Sequence, residues 1–242
     1  LVGAKSRIFI SRLEAEVVER VRSGTILSGW TPFTEMSGFP EHDVEKVFPS
    51  PGSTPYRSDD PLPFSYVVDG DSFGIGDYHF ACVATPGHAR GHMCLYESRS
   101  GVFVSGDHLL SGISPAIHTF TNENPLKDYL ASLDKVATLD IRLVLPGHRG
   151  TFTHSKERIR ELKKHHEGRA HEVVSILRGG AQDAYEVASQ MTWDLDYDSW
   201  LVFPIQQKFF ATGEAFAHLR YLEEEGLIKS LTKDKRILYS MN

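Results

Sequence analysis

The chain has 242 residues, 40% of them hydrophobic and 24% charged, with a formal net charge of -6. That profile suits one large domain, or a medium domain with a small one, and excludes a basic protein that coats nucleic acid. No apolar run approaches the length that crosses a bilayer and no leader-like segment opens the chain, so a cytoplasmic protein is expected, with no membrane partner.

In chain order, the opening Leu1-Val2-Gly3 lacks an initiator Met, which suggests a fragment. Arg7–Ser11 reads as a strand, and Glu14–Ser23 as a helix with Val17, Val18 and Val21 on one face. Residues 30–65 are rich in Pro, Gly and Ser and read as a long surface loop or lid. From Phe64 onward, short apolar runs alternate with turn residues. They predict strands at Ser65–Val68, Tyr78–Ala84, Met93–Tyr96, Val102–Ser105 and Arg142–Leu145, with a hairpin turn at Ser98–Gly101. Leu126, Tyr129, Leu130, Leu133 and Val136 recur at helical spacing between Pro125 and Thr138. Cys82 and Cys94 are not spaced as a zinc knuckle or a redox pair and read as reduced, buried thiols.

After Gly150 the pattern turns helical. Ser155 is placed to cap a helix that runs to Leu177 and ends at Gly179-Gly180. Further helices are expected at Ala184–Met191 and Ile205–Glu225, then a hairpin of Leu227–Leu231 and Arg236–Ser240 around Lys233-Asp234. Three helices and a hairpin are the order of a winged-helix domain, so the domains divide as 1–154 and 155–242. Trp193, Trp200 and Phe203 make the intervening link too aromatic to hang free, and are expected to bury against the N-terminal half.

Three segments share one design: a short apolar run, then a glycine, then a potential metal ligand. Val83-Ala84 leads through Thr85-Pro86-Gly87 into His88, Val102–Gly106 leads into Asp107, and Leu143–Gly147 leads into His148. Strands that end on one sheet edge would bring these side chains together, and two imidazoles with a carboxylate suit a divalent transition metal. A lone histidine after Pro-Gly is usually a turn residue. Three repeats of one pattern weigh against that explanation.

Thr85-Pro86-Gly87-His88-Ala89-Arg90-Gly91-His92 resembles the third motif of the metallo-β-lactamase superfamily, Ser105-Gly106-Asp107-His108 the fourth, and Leu145-Pro146-Gly147-His148 the fifth. The resemblance continues through His165-His166-Glu167-Gly168-Arg169 and Gly213–Leu219, which is similar to a winged-helix segment appended to one hydrolase branch. It implies an α+β, four-layer αββα sandwich, followed by a small winged-helix-like domain. It also implies two metals, most simply zinc, with His88 on the first, His148 on the second and Asp107 bridging as the catalytic carboxylate. A metal-held hydroxide would attack the substrate.

The family's first motif, His-x-His-x-Asp-His, has no match here, which leaves each metal two protein ligands and implies an N-terminally truncated, impaired enzyme with partial or absent metal. Ala89 stands where the family often has a hydroxyl. Arg90 and His118 are the candidate substrate-binding residues, with solvated side chains as the plainer explanation. His92 is read as a structural partner, His108 as an orienting or lining residue, and His165 and His166 as outer support or a polar helix face.

The leading function is hydrolysis of a thioester, ester or related acyl bond in a small-molecule substrate. The alternatives are an RNA- or DNA-directed phosphodiesterase of the same superfamily and a non-enzymatic winged-helix binding protein. Residues after Ser155 are balanced in charge, so nucleic acid ranks low as a partner despite Lys229, Lys233, Lys235 and Arg236. A homo-oligomer is compatible with the sequence.

Overall fold

The computed structural model describes residues 7–23, 31–47, 62–121, 123–194 and 197–242. These fall into two units. The first draws on Leu1–Thr25, Tyr56–Pro115 and Asp128–Lys163, the second on Ile26–Pro55, Ala116–Lys127 and Lys164–Asn242. This division is not a single cut after residue 154: residues 31–47 and 116–127 go with the C-terminal helices.

In the first unit, β1 (Ile8–Ile10) pairs in parallel with β2 (Phe64–Tyr66). Helix α1 (Arg12–Arg22) starts at Ser11, whose hydroxyl accepts the Glu14 N–H at 3.3 Å. Of the valine face, Val17 and Val21 are exposed, and Ala15 is buried instead. A polar anchor sets that rotation, because the Glu14 carboxylate accepts the Gly91 N–H at 2.8 Å.

The main sheet has the order β3 (Ser72–Ile75), β4 (Tyr78–Ala84), β5 (Met93–Glu97), β6 (Val102–Gly106), β7 (Leu143–Pro146). Neighbours are antiparallel from β3 to β6, and β6–β7 is parallel. Helix α4 (Pro125–Ala137) connects β6 to β7 and buries Leu126, Tyr129, Leu133 and Val136, the stripe its spacing predicts. Strand β3 is not among the predicted strands because Ser72-Phe73-Gly74-Ile75 is a short, mostly exposed edge of four residues interrupted by a glycine. Phe73 nevertheless stacks on Phe9 of β1, ring centres 4.9 Å apart.

The second unit contains α2 (Thr31–Ser37), α3 (Val44–Val47), most of α5 (Ser155–Leu177), α6 (Ala184–Gln190), α7 (Ile205–Glu224) and the hairpin β8 (Ile228–Lys233)–β9 (Arg236–Met241). The expected surface loop at 30–65 is corrected over 31–47, where Phe33, Phe39 and Val47 enter the same buried cluster as Phe209, Phe216, Leu219 and Tyr239. The Pro and Ser content hid them: Pro32 sits in the first turn of a helix, where its missing N–H costs nothing. Residues 48–61 lie outside the described residues.

Helix α6 starts on a capping box, with Asp183 accepting the Glu186 N–H at 2.8 Å and Glu186 accepting the Asp183 N–H at 3.0 Å. The hairpin turns at Asp234-Lys235, one residue later than read, and both residues have positive φ (50° and 69°), as a tight two-residue turn needs. Trp193 and Trp200 find partners within this unit: the Trp193 indole donates to Ala188 O at 2.9 Å and Trp200 packs on Tyr185 and Phe203. No helix among the described residues is long and apolar enough to cross a membrane.

Candidate metal centre

Strand direction decides which side chains can meet. Strand β5 runs against both β4 and β6, and β6 runs with β7, so β4, β6 and β7 all end on one sheet edge. Their chain continuations carry His88, Asp107 and His148. His88 Nε2 stands 3.5 Å from Asp107 Oδ2, and His148 Nε2 stands 3.6 Å from Asp107 Oδ1. One carboxylate therefore faces two imidazoles, one through each oxygen. The His88 and Asp107 side chains are each 28% exposed and that of His148 69%, so the trio is open to solutes.

The glycines before the ligands have separate physical reasons. At Gly87, with φ at 142°, a Cβ would stand 2.5 Å from Tyr129 Cβ, so only glycine lets the His88 loop lie against α4. At Gly147 a Cβ would stand 2.6 Å from Asp107 Oδ1 and close the face of the carboxylate.

Behind the trio lie two imidazoles with neutral character. Burial, reinforced by His88, pushes His92 down to about 4, against an opposing pull from Asp107. Burial, reinforced by His92, pushes His108 down to about 3. The second unit holds a similar pair: His166 Nδ1 and His218 Nε2 are 3.4 Å apart, and burial lowers both, His218 to about 4. Each of the four binds its proton more readily in the unfolded chain, near pH 6.5. Stability from these groups is thus complete above about pH 6.5 and is lost as pH falls toward about 4. The melting temperature is expected to be flat from pH 7 to 8 and to drop through this window. A melting temperature that rises from pH 6.5 to 4.5 would contradict the burial of neutral imidazoles.

The donors fit a divalent transition ion in kind, imidazole nitrogen and carboxylate oxygen, and Gly147 leaves space beside them. They fall short in number. Among the described residues no group of three or more His, Cys, Asp or Glu side chains forms a cage for an ion. The trio instead offers two donors at each position, one imidazole and one Asp107 oxygen, where zinc generally takes three or four protein ligands.

The other singled-out residues divide between the units. Arg90 is exposed in the turn after His88. His118 belongs to the second unit, its ring 4.8 Å from that of Phe120 and 5.5 Å from that of Phe210. His166 is buried beside His218 rather than lying on a polar helix face. Sequence reasoning missed Thr85 and Cys94, which carry hydrogen bonds behind the trio (2.8 Å from Thr85 to His92 and 3.1 Å to Cys94). Their signal was available: both flank the same pair of histidines on adjacent strands.

A family model described as "Metallo-beta-lactamase superfamily" matches residues 16–148. Among solved structures, a metallo-beta-lactamase family protein from Thermus thermophilus is 30% identical, with a TM-score of 0.77 over 98% of this chain and 72% of that one. Among curated relatives, the lactamase-like protein aptB of Emericella nidulans is 32% identical over 112 residues, covering 46% of this chain and 34% of that protein. The acyl-coenzyme A thioesterase MBLAC2 of Bos taurus is 28% identical over 196 residues, covering 77% of this chain and 65% of that protein. The chain thus spans from about a third to just under two-thirds of the length of these two curated relatives. The mixed α/β fold described above is the one that solved structure shares.

Proposed function

The chain belongs to the metallo-beta-lactamase superfamily, and on that premise we propose that it is a metal-dependent hydrolase of acyl bonds, with thioesters as the first substrate class to test. The observation that carries this is one carboxylate between two imidazoles at a shared sheet edge. His88 with Asp107 Oδ2 would hold one divalent ion, and His148 with Asp107 Oδ1 a second, zinc being the simplest choice for this donor set. Such ions supply Lewis acidity toward the acyl oxygen and an activated water. Asp107 would serve both positions through its two oxygens, and the exposed His148 leaves one side open for a small-molecule substrate. Two donors at each position predict weak metal retention and slow turnover unless metal is in excess.

The thioester class is suggested by the name of one relative, an acyl-coenzyme A thioesterase. The five-stranded sheet and the β1–β2 ladder are read as the two sheets of an αββα sandwich, and α5, α6, α7 and the β8–β9 hairpin as a winged-helix-like module. That module's role is to shape a substrate cleft or an oligomer contact in a cytoplasmic enzyme. Arg90, in the turn after His88, and, separately, His118 of the second unit remain proposed substrate contacts, and nucleic acid is not the proposed partner.

The test is hydrolysis of short- and long-chain acyl-coenzyme A and of an aryl phosphodiester, with zinc or cobalt in excess and with chelator. The expected result is thioester cleavage that rises with metal and disappears with chelator. Phosphodiester cleavage alone would replace this function with a nuclease, and chelator-resistant thioester cleavage would remove metal from it.

A further inference from the structure

The turn that carries Asp107 is gripped from two points by one chain of hydrogen bonds. The Asp107 main-chain N–H donates to His92 Nε2 at 3.3 Å. That nitrogen is therefore an acceptor, and a neutral ring must carry its proton on Nδ1. Nδ1 lies 2.8 Å from Thr85 Oγ1, so the threonine oxygen accepts there. Its own hydroxyl proton is then free for Cys94 Sγ, 3.1 Å away. The Cys94 thiol donates to Ser105 O at 3.4 Å. Ser105 O also accepts the His108 N–H at 2.9 Å, closing the turn.

The first donor and the last acceptor, Asp107 N–H and Ser105 O, thus sit two residues apart on the same turn. Every link has its direction fixed by its neighbour, and His92, Thr85 and Cys94 come from the β4–β5 segment rather than from β6. We infer that Thr85, His92 and Cys94 are positioning residues, a one-way relay that clamps the Ser105–His108 turn and so sets where the Asp107 carboxylate stands between His88 and His148. The clamp follows from the hydrogen bonds alone; its use in holding metal rests on the function proposed above.

The relay makes a statement about one proton that a merely packed histidine would not. In the full chain labelled with nitrogen-15, long-range proton–nitrogen correlation at neutral pH should find the His92 proton on Nδ1 and none on Nε2. Thr85→Val, which keeps the side-chain shape, removes the acceptor of the Nδ1 proton, so it should weaken that tautomer preference and speed exchange of the Asp107 amide by roughly tenfold, the scale of one hydrogen bond. Thr85→Ser should restore both. Cys94→Ala should weaken the far end and speed exchange of the same amide while leaving the Nδ1 proton in place. Cys94→Ala also supplies the measurement if Thr85→Val does not fold.

An Nε2-protonated His92, or Asp107 exchange unchanged in Thr85→Val and in Cys94→Ala, would overturn the inference. Cobalt titration adds the second arm. Wild type should bind roughly tenfold more tightly than Thr85→Val. Wild-type chain that binds no cobalt while showing the Nδ1 tautomer would overturn the metal function and still support the clamp. Cobalt bound equally by wild type and Thr85→Val would overturn the positioning role and leave the metal function standing.

Discussion

Gly87→Ala is expected to destabilise the first unit by at least about 3 kcal/mol, the scale of an overpacked core position in a disfavoured backbone conformation. The added Cβ would sit 2.5 Å from Tyr129 Cβ and 2.7 Å from Tyr129 Cα, so moving it means moving α4 rather than rotating a side chain. Residue 87 also holds a φ of 142°, which an alanine resists. Tyr129 is fully buried, and its hydroxyl donates to His108 O at 3.0 Å, so a displaced α4 pulls on the turn that carries Asp107. Urea unfolding measures the effect. Gly150→Ala is the control, since a Cβ there meets nothing within 4 Å, and its midpoint should match wild type. Equal midpoints for the two variants would show that the His88 loop does not lie against α4.

Asp107→Asn is expected to reduce affinity for zinc or cobalt by at least roughly 100-fold and to remove metal-stimulated hydrolysis with it, because it removes a direct ligand where even outer partners are worth 10- to 100-fold. The amide keeps the shape but cannot bear the negative charge that both imidazoles face, at 3.5 and 3.6 Å. His88→Ala or His148→Ala should each lose less, since one two-donor position survives in either. Isothermal titration of the four proteins gives the ranking. Asp107→Asn binding metal as wild type does would take the carboxylate out of the centre.

The candidate centre was legible in the sequence because its parts are local. Each ligand follows an apolar run by one to four residues, so reading the strands is enough to locate His88, Asp107 and His148. Direction was the step the sequence could not supply. That β4, β6 and β7 end on one edge depends on β5 running against two of them, a pairing rather than a pattern.

The C-terminal helices were equally readable, since α5, α6 and α7 start and end within one residue of their predicted bounds. The segment 31–47 was not. Its composition is that of a loop, and Phe33 and Phe39 show their role only against the buried Phe209, ring centres 5.3 Å away in each case. The relay behind Asp107 was hidden for a related reason: Thr85, His92 and Cys94 each have an ordinary local explanation, and only their spacing in three dimensions joins them.

The most direct measurement is anomalous diffraction at the zinc edge from crystals of the full chain soaked in zinc. The account predicts an anomalous peak within bonding distance of Asp107 and at least one of His88 and His148, absent from Asp107→Asn crystals soaked alongside. Zinc found only at other histidines, with the trio empty at saturating metal, would contradict it.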